Sequence, residues 1–78
     1  HDCMIEDFVN LAPGVNISGN VHMKEGAYVG TNASIFQGKA IDEKLEIGAY
    51  ATIGAGAVVL KSVKSFDTVV GVPARSKT

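Results

Sequence analysis

Aliphatic residues recur at every sixth position along most of the chain. Stepping by six from Ile5 gives Leu11, Ile17, Met23, Val29, Ile35, Ile41, Ile47, Ile53 and Val59, ten consecutive apolar positions. An amphipathic helix repeats its apolar positions near 3.6, and a half-buried strand near 2. A period of six is neither of these alone; it predicts short strands joined by turns at fixed spacing. A second column, four residues after each aliphatic, holds Val9, Val15, Val21, Ala27, Ala33, Lys39, Leu45, Ala51, Ala57 and Val63. Residues two apart on a strand share a face, so each strand turns one small or medium and one large side chain inward. Lys39 is the exception. A buried unpaired lysine is costly, so the stretch Gly38–Lys44 is expected to bulge or to turn Lys39 outward. The third column, three residues after each aliphatic, runs Phe8, Gly14, Asn20, Gly26, Asn32, Gly38, Lys44, Tyr50, Gly56 and Ser62. Six of these ten are Gly or Asn, the residues that tolerate positive φ. This column marks the corners.

Three six-residue units close a triangular coil, and the pattern predicts an all-β parallel β-helix with coils at 5–22, 23–40 and 41–58 and a fourth begun at 59–64. Successive coils should stack about 4.8 Å apart. The expected organisation is a β-helix over 1–64 followed, over 65–78, by a loop at Ser65–Asp67, a short strand at Thr68–Val70, a turn and a basic tail. A solenoid needs capped or covered ends, and nothing in the sequence caps the first coil. At 78 residues the chain is one domain that buries a small share of its surface. Lys plus Arg is 7 against 8 for Asp plus Glu, a net charge of −1, which argues against nucleic acid or an anionic membrane as partner. No apolar run approaches the ~20 residues of a membrane span, and no basic start followed by an apolar stretch suggests a secretory signal. A single cysteine, Cys3, cannot form an internal disulfide, which fits a reducing cytoplasm.

Reactive groups are few. There is no GxxxxGK phosphate loop and no nucleophile elbow. The opening His1-Asp2-Cys3 sets a histidine beside a carboxylate, the pairing that makes a general base. Its bland alternative is a polar strand end. His22, next to inward Val21, should point outward as a surface residue with no visible partner; Cys3 falls in the inward column as a packing residue; Tyr28 and Tyr50 should lie at the surface or an interface. A zinc hydratase on this type of fold needs three histidine ligands, and the chain has two, so no metal site is expected.

His1-Asp2-Cys3, Asn10, Pro13-Gly14, Gly19-Asn20, Gly26, Gly30 and the closing Gly71-Val72-Pro73-Ala74 resemble, over nearly the whole chain, the hexapeptide-repeat bacterial sugar acetyltransferases of the sialic-acid and bacillosamine pathways. The resemblance implies a left-handed coil, a homotrimer, and acetyl-CoA as the acetyl donor to an amino or hydroxyl group of a sugar or nucleotide sugar. It implies His1 as base, Asp2 as its orienting partner, and a Gly19 N–H facing the thioester oxygen. Asn10 falls where relatives carry a histidine near the acetyl group, so a second titrating group is absent there. The cofactor would run along the outside between two subunits, past the small residues of 48–57, with Gly48, Ala49 and Gly54 letting its arm approach backbone amides and Lys61 and Arg75 meeting its phosphates. Relatives carry an N-terminal α/β domain that holds the acceptor, and a base cannot work from a frayed first residue. The chain is therefore expected to be the C-terminal part of a longer enzyme. The competing reading is a non-catalytic, trimerising β-helix.

Overall fold

The computed structural model describes residues 3–37 and 44–77. His1, Asp2, residues 38–43 of the bulge expected at Gly38–Lys44, with Lys39 and Ile41 among them, and Thr78 lie outside them. The described residues form short strands that wind around three faces. Face A stacks β1 (Met4–Ile5), β4 (Val21–Met23) and β7 (Leu45–Ile47), and face C stacks β3 (Asn16–Ile17), β6 (Ser34–Ile35) and β9 (Val58–Val59). Face B stacks β2 (Asn10–Leu11), β5 (Tyr28–Val29), β8 (Thr52–Ile53) and β10 (Thr68–Val70), with β11 (Arg75–Ser76) added antiparallel at the edge. All other pairings are parallel. This is the expected parallel β-helix. No helix among the described residues is long and apolar enough to cross a membrane.

The inward columns are where the hexads put them. Met23, Val29, Ile35, Ile47, Ile53 and Val59 are buried, as are Val21, Ala27, Ala33, Leu45, Ala51, Ala57 and Val63. The first coil differs, because no coil covers its lower side: Ile5 stays 51% exposed and Leu11 44%. The corners are equally regular. Gly14, Gly26, Gly56, Asn20, Asn32, Phe8 and Tyr50 all have positive φ.

Two features of the register correct the sequence-derived coils. Ile5 pairs with Met23, eighteen residues on, but Met23 pairs with Ile47, Val29 with Ile53 and Ile35 with Val59, each twenty-four residues on. The second coil is thus longer by one hexad than expected, and the coils expected at 23–40 and 41–58 give way to coils at 23–46 and 47–62. An insertion equal to the period leaves every column in phase, which is why the sequence conceals it. Beyond it, Ile47 bridges Val63 and Ile53 pairs with Val69, sixteen residues on. This shortening by two breaks the hexad phase yet keeps the inward face, since side chains alternate with period two. Sheet pairing therefore continues through residue 64 into β10.

The corner between faces A and B carries Phe8, Gly26, Tyr50 and Phe66 on successive coils, tied by Gly26 N–H to Asp7 O, Tyr50 N–H to Glu25 O and Phe66 N–H to Ala49 O. Three of these are aromatic at φ 64, 57 and 64°. Bulky residues there cost about 1 kcal/mol or more each. Tyr50 lies across Gly26, where a Cβ would come within 2.3 Å of its ring. Phe66 stacks on Tyr50 at 5.6 Å between centroids.

Candidate functional site

At the corner between faces C and A, the chain turns two residues after each face C strand. Since Ile17, Ile35 and Val59 are in register, Gly19, Gln37 and Lys61 form one column there. The amide at this place in the hexad points away from the ladder. On the A/B corner the equivalent amides are satisfied by side chains: Glu25 N–H donates to Glu6 Oε1 (3.2 Å) and Ala49 N–H to Ser65 Oγ (3.1 Å). Among the described residues, no acceptor meets the Gly19 N–H. Thr31 and Ala55, at the same place in their hexads, likewise show no acceptor among them, but Gly19 has no side chain in the way, and an amide so placed can receive an oxyanion. Lys61 stands exposed two coils above. Gln37, unremarked in the sequence, lies between them, and the 24-residue coil is what brings Lys61 into line above it. Phe36 and Leu60, both about half exposed, flank this column on face C.

Face B is the side of the triangle opposite that corner. Asn10 is exposed on β2, outward of Leu11, at the level of Gly19's coil. Above it stand Tyr28, Thr52 and Thr68; beside that column, two residues along each strand, Ala12, Gly30 and Gly54 lead to Val70, and exposed Arg75 lies at the face's edge on β11. Gly30 is there for close packing, since a Cβ would lie 2.7 Å from Ala55 N.

The structure thus divides the sequence-predicted residues. Gly19 and Lys61 share the C/A corner; Asn10, Gly54 and Arg75 share face B. These two strips point away from each other in a single chain, and both run from coil 1 toward the last coil. Gly48 and Ala49 belong to neither, for they sit at the A/B corner. Among the backbone amides of 48–57, expected to meet the cofactor arm, those of the three residues singled out are already engaged: Gly48 N–H donates to Val63 O, Ala49 N–H to Ser65 Oγ and Gly54 N–H to Val69 O. Gly48 is buried, and a Cβ on it would lie 2.3 Å from Ser65 N. Its glycine serves the approach of the next coil. The Gly54 position is similar, with Val70 2.9 Å from the Cβ site.

His22 points outward, as expected, but has a partner that the sequence reading missed. Its Nε2 lies 2.5 Å from Glu6 Oε2 on the coil below. Lys24 pairs with Glu46 at 3.4 Å, and Tyr50 OH donates to Glu25 Oε2 at 3.3 Å. The hydrogen bond from His22 holds the Glu6 carboxyl below its ordinary range against desolvation, with help from the Glu25 amide and the nearby His22 and Lys24. The Glu25 charge raises the Tyr50 hydroxyl. Cys3 is partly buried against the core, its thiol donating to Ser18 O at 3.3 Å. Among the described residues, no three His, Cys, Asp or Glu side chains gather as a metal site.

The Glu6 shift has a sign that can be tested. A depressed carboxyl contributes stability above its unfolded value, which is lost as pH falls through the folded one. Amide exchange at Glu6 and at Glu25, whose N–H donates to the Glu6 carboxylate, should therefore speed up as pH drops below 4.5 relative to the intrinsic rate. Glu6→Gln should remove that acid-dependent step, and an unchanged profile would dismiss the pair as a stabilising contact.

Fold and repeat together define a class, the hexapeptide-repeat left-handed parallel β-helices. The chain is 51% identical over 75 residues to GDP-perosamine N-acetyltransferase of Escherichia coli O157:H7, covering 96% of this chain and 34% of that protein. The structure of WeeI from Acinetobacter baumannii AYE matches 97% of this chain and 35% of its own, at 53% identity and a TM-score of 0.94. A mutant perosamine N-acetyltransferase from Caulobacter crescentus, solved with CoA and GDP-perosamine, matches 99% of this chain and 34% of its own, at 31% identity and a TM-score of 0.89. No protein-family model matches the chain. By these likenesses the chain belongs to the hexapeptide-repeat acetyltransferases, as its motifs implied. It spans about a third of the length of the relatives it matches.

Proposed function

We propose that this β-helix, as a cytoplasmic homotrimer, transfers an acetyl group from acetyl-CoA to an amino group of a sugar or nucleotide sugar, at sites formed between copies. The observation that carries this reading is the outward Gly19 amide, without an acceptor among the described residues, at a corner whose next charged group up the column is Lys61. The relatives support the chemistry: two are named as perosamine N-acetyltransferases, and one of these was solved with CoA and GDP-perosamine.

In the proposed reaction the acceptor nitrogen attacks the thioester carbonyl carbon. The oxygen gains charge and accepts a hydrogen bond from Gly19 N–H; removing such a donor typically lowers kcat ~10²–10³-fold. His1 takes the proton from the nitrogen, with Asp2 orienting the imidazole. The C–S bond then breaks, and the thiolate takes that proton to leave as CoA thiol. Asn10, from face B of a second copy, donates to the acetyl or pantetheine end without titrating. The arm climbs two coil spacings, about 10 Å, beside Gly54 and Gln37. Lys61 and Arg75 meet its phosphates. Gly48 and Ala49 hold the coils together at the A/B corner.

Calorimetric titration with acetyl-CoA tests the reading. Gly19→Leu should weaken binding about tenfold or more, equivalent to about 1.4 kcal/mol, while His1→Ala leaves it intact. A folded trimer that takes up no acetyl-CoA would instead support a purely structural β-helix.

A further inference from the structure

We infer, on the acetyl-transfer reading above, that the Gly19 amide is held in its outward setting by a clamp of two side chains, the Cys3 thiol from the coil below and the Lys44 ammonium from the coil above, and that both are positioning residues for the transfer. Ser18 O and Gly19 N–H belong to one peptide, and in a trans peptide the two point in opposite directions. At other corners the matching carbonyl is engaged by the amide three residues on, as Ala33 N–H donates to Gly30 O and Ala57 N–H to Gly54 O. At Ser18 the Cys3 thiol takes that place, donating to the oxygen at 3.3 Å. A donor on the oxygen fixes the peptide plane. It also polarises the peptide, which strengthens the N–H on its far side as a donor.

The second half of the clamp lies on the other side of Gly19. Asn20 follows it at φ 65°. Its carbonyl accepts from Leu45 N–H at 3.1 Å, and its side-chain oxygen accepts from Lys44 Nζ at 3.1 Å. Gly19, Asn20 and Lys44 are all half-buried. Val21 pairs with Leu45, twenty-four residues on, and this register is what carries Lys44 over Asn20. A side chain from the next coil also covers the corner at Gly14, by Asn32, and at Gly26, by Tyr50. Those covers are a neutral amide and a ring, whereas Lys44 is a long cation that gives up much rotamer freedom when it is ordered. What sets this corner apart is the residue beside it. Glycine leaves the backbone conformationally free, and an oxyanion donor acts only if it is in place before the charge develops. Gly19 has no side chain to hold it, so its neighbours on both sides must.

The test uses the full-length chain with 15N-labelled glycine, and acetyl-CoA carrying 13C at the thioester carbonyl. Bound to wild type, the carbonyl stretch should move to lower frequency than in free acetyl-CoA, as a donor on its oxygen requires. The Gly19 amide should have the order parameter of a rigid backbone, about 0.85. Lys44→Met, which keeps the length and loses the donor, and Cys3→Ala should each abolish the frequency shift and bring the order parameter below about 0.6, with the circular dichroism of wild type. Lys44→Arg, which can still donate, should restore both. Asn20→Gly breaks the same contact from the other side at a φ that suits glycine. It should lose the shift as well, and adding Lys44→Met to it should change nothing more. The inference is overturned if Lys44→Met or Cys3→Ala leaves both signals as in wild type, or if Lys44→Met keeps its full effect in the Asn20→Gly background. The two readings fail separately. A wild type that shows no shift with acetyl-CoA, while Lys44→Met still loosens the Gly19 amide, keeps the clamp and removes the transferase; a shift that survives Lys44→Met and is lost in Gly19→Leu keeps the transferase and removes the clamp.

Discussion

Ile53→Ala is expected to cost about 2–5 kcal/mol of folding stability, the range for a large buried aliphatic cut back to a methyl group. Ile53 is fully buried. Val29 lies beneath it and Val69 above it in the same ladder, so coils on both sides prevent the cavity from collapsing onto solvent. In a domain of this size 1 kcal/mol moves Tm by about 4–8 °C, so the melting temperature should fall by roughly 8–40 °C. Ile5→Ala makes the matched comparison. It occupies the same inward column, but 51% of its surface is already in water, so less apolar area is lost and no enclosed cavity forms. Denaturant and thermal unfolding of the two variants will check this. Equal losses would mean that position in the hexad, rather than depth in the stack, sets the contribution of each rung.

The same hexads explain why the fold could be read from the sequence and part of the site could not. Strands, inward columns and corners are local, repeating every six residues, and the corner glycines and asparagines sit at positive φ as their chemistry requires. The length of a coil is not local. The extra hexad before β7 left the columns undisturbed but rotated every later residue by one corner. With uniform coils, Lys61 would stand one corner away from Gly19; the observed register sets them in one column. The Glu6–His22 pair was hidden for a related reason: its partners are 16 residues apart and meet only because coil 1 returns them to one face. The engagement of the Gly48, Ala49 and Gly54 amides was not legible, because a glycine that admits a ligand and a glycine that admits the next coil look alike in sequence. Their hydrogen bonds to Val63, Ser65 and Val69 decide between the two.

His1→Asn should lower kcat by about 10²–10⁴-fold, the usual contribution of a positioned base, with acetyl-CoA affinity unchanged. Asparagine is close in size and can still accept a hydrogen bond, so what is lost is the capacity to hold a proton. The attacking nitrogen must shed a proton as it becomes an amide, and Asn10 cannot take it. Among the described residues His22 is the remaining imidazole, and its Nε2 is already committed to Glu6. A base acting in the free enzyme also shapes the pH profile of kcat/KM, which rises as the base loses its proton. In His1→Asn that limb should vanish along with the rate, whereas in Gly19→Leu, which disturbs the thioester and leaves the base, kcat/KM should fall while the limb persists. Steady-state kinetics across pH with the acceptor in excess will distinguish these outcomes. A His1→Asn enzyme that keeps both its rate and its pH limb would assign the proton transfer to another group and reduce the role of His1 to that of a polar strand end.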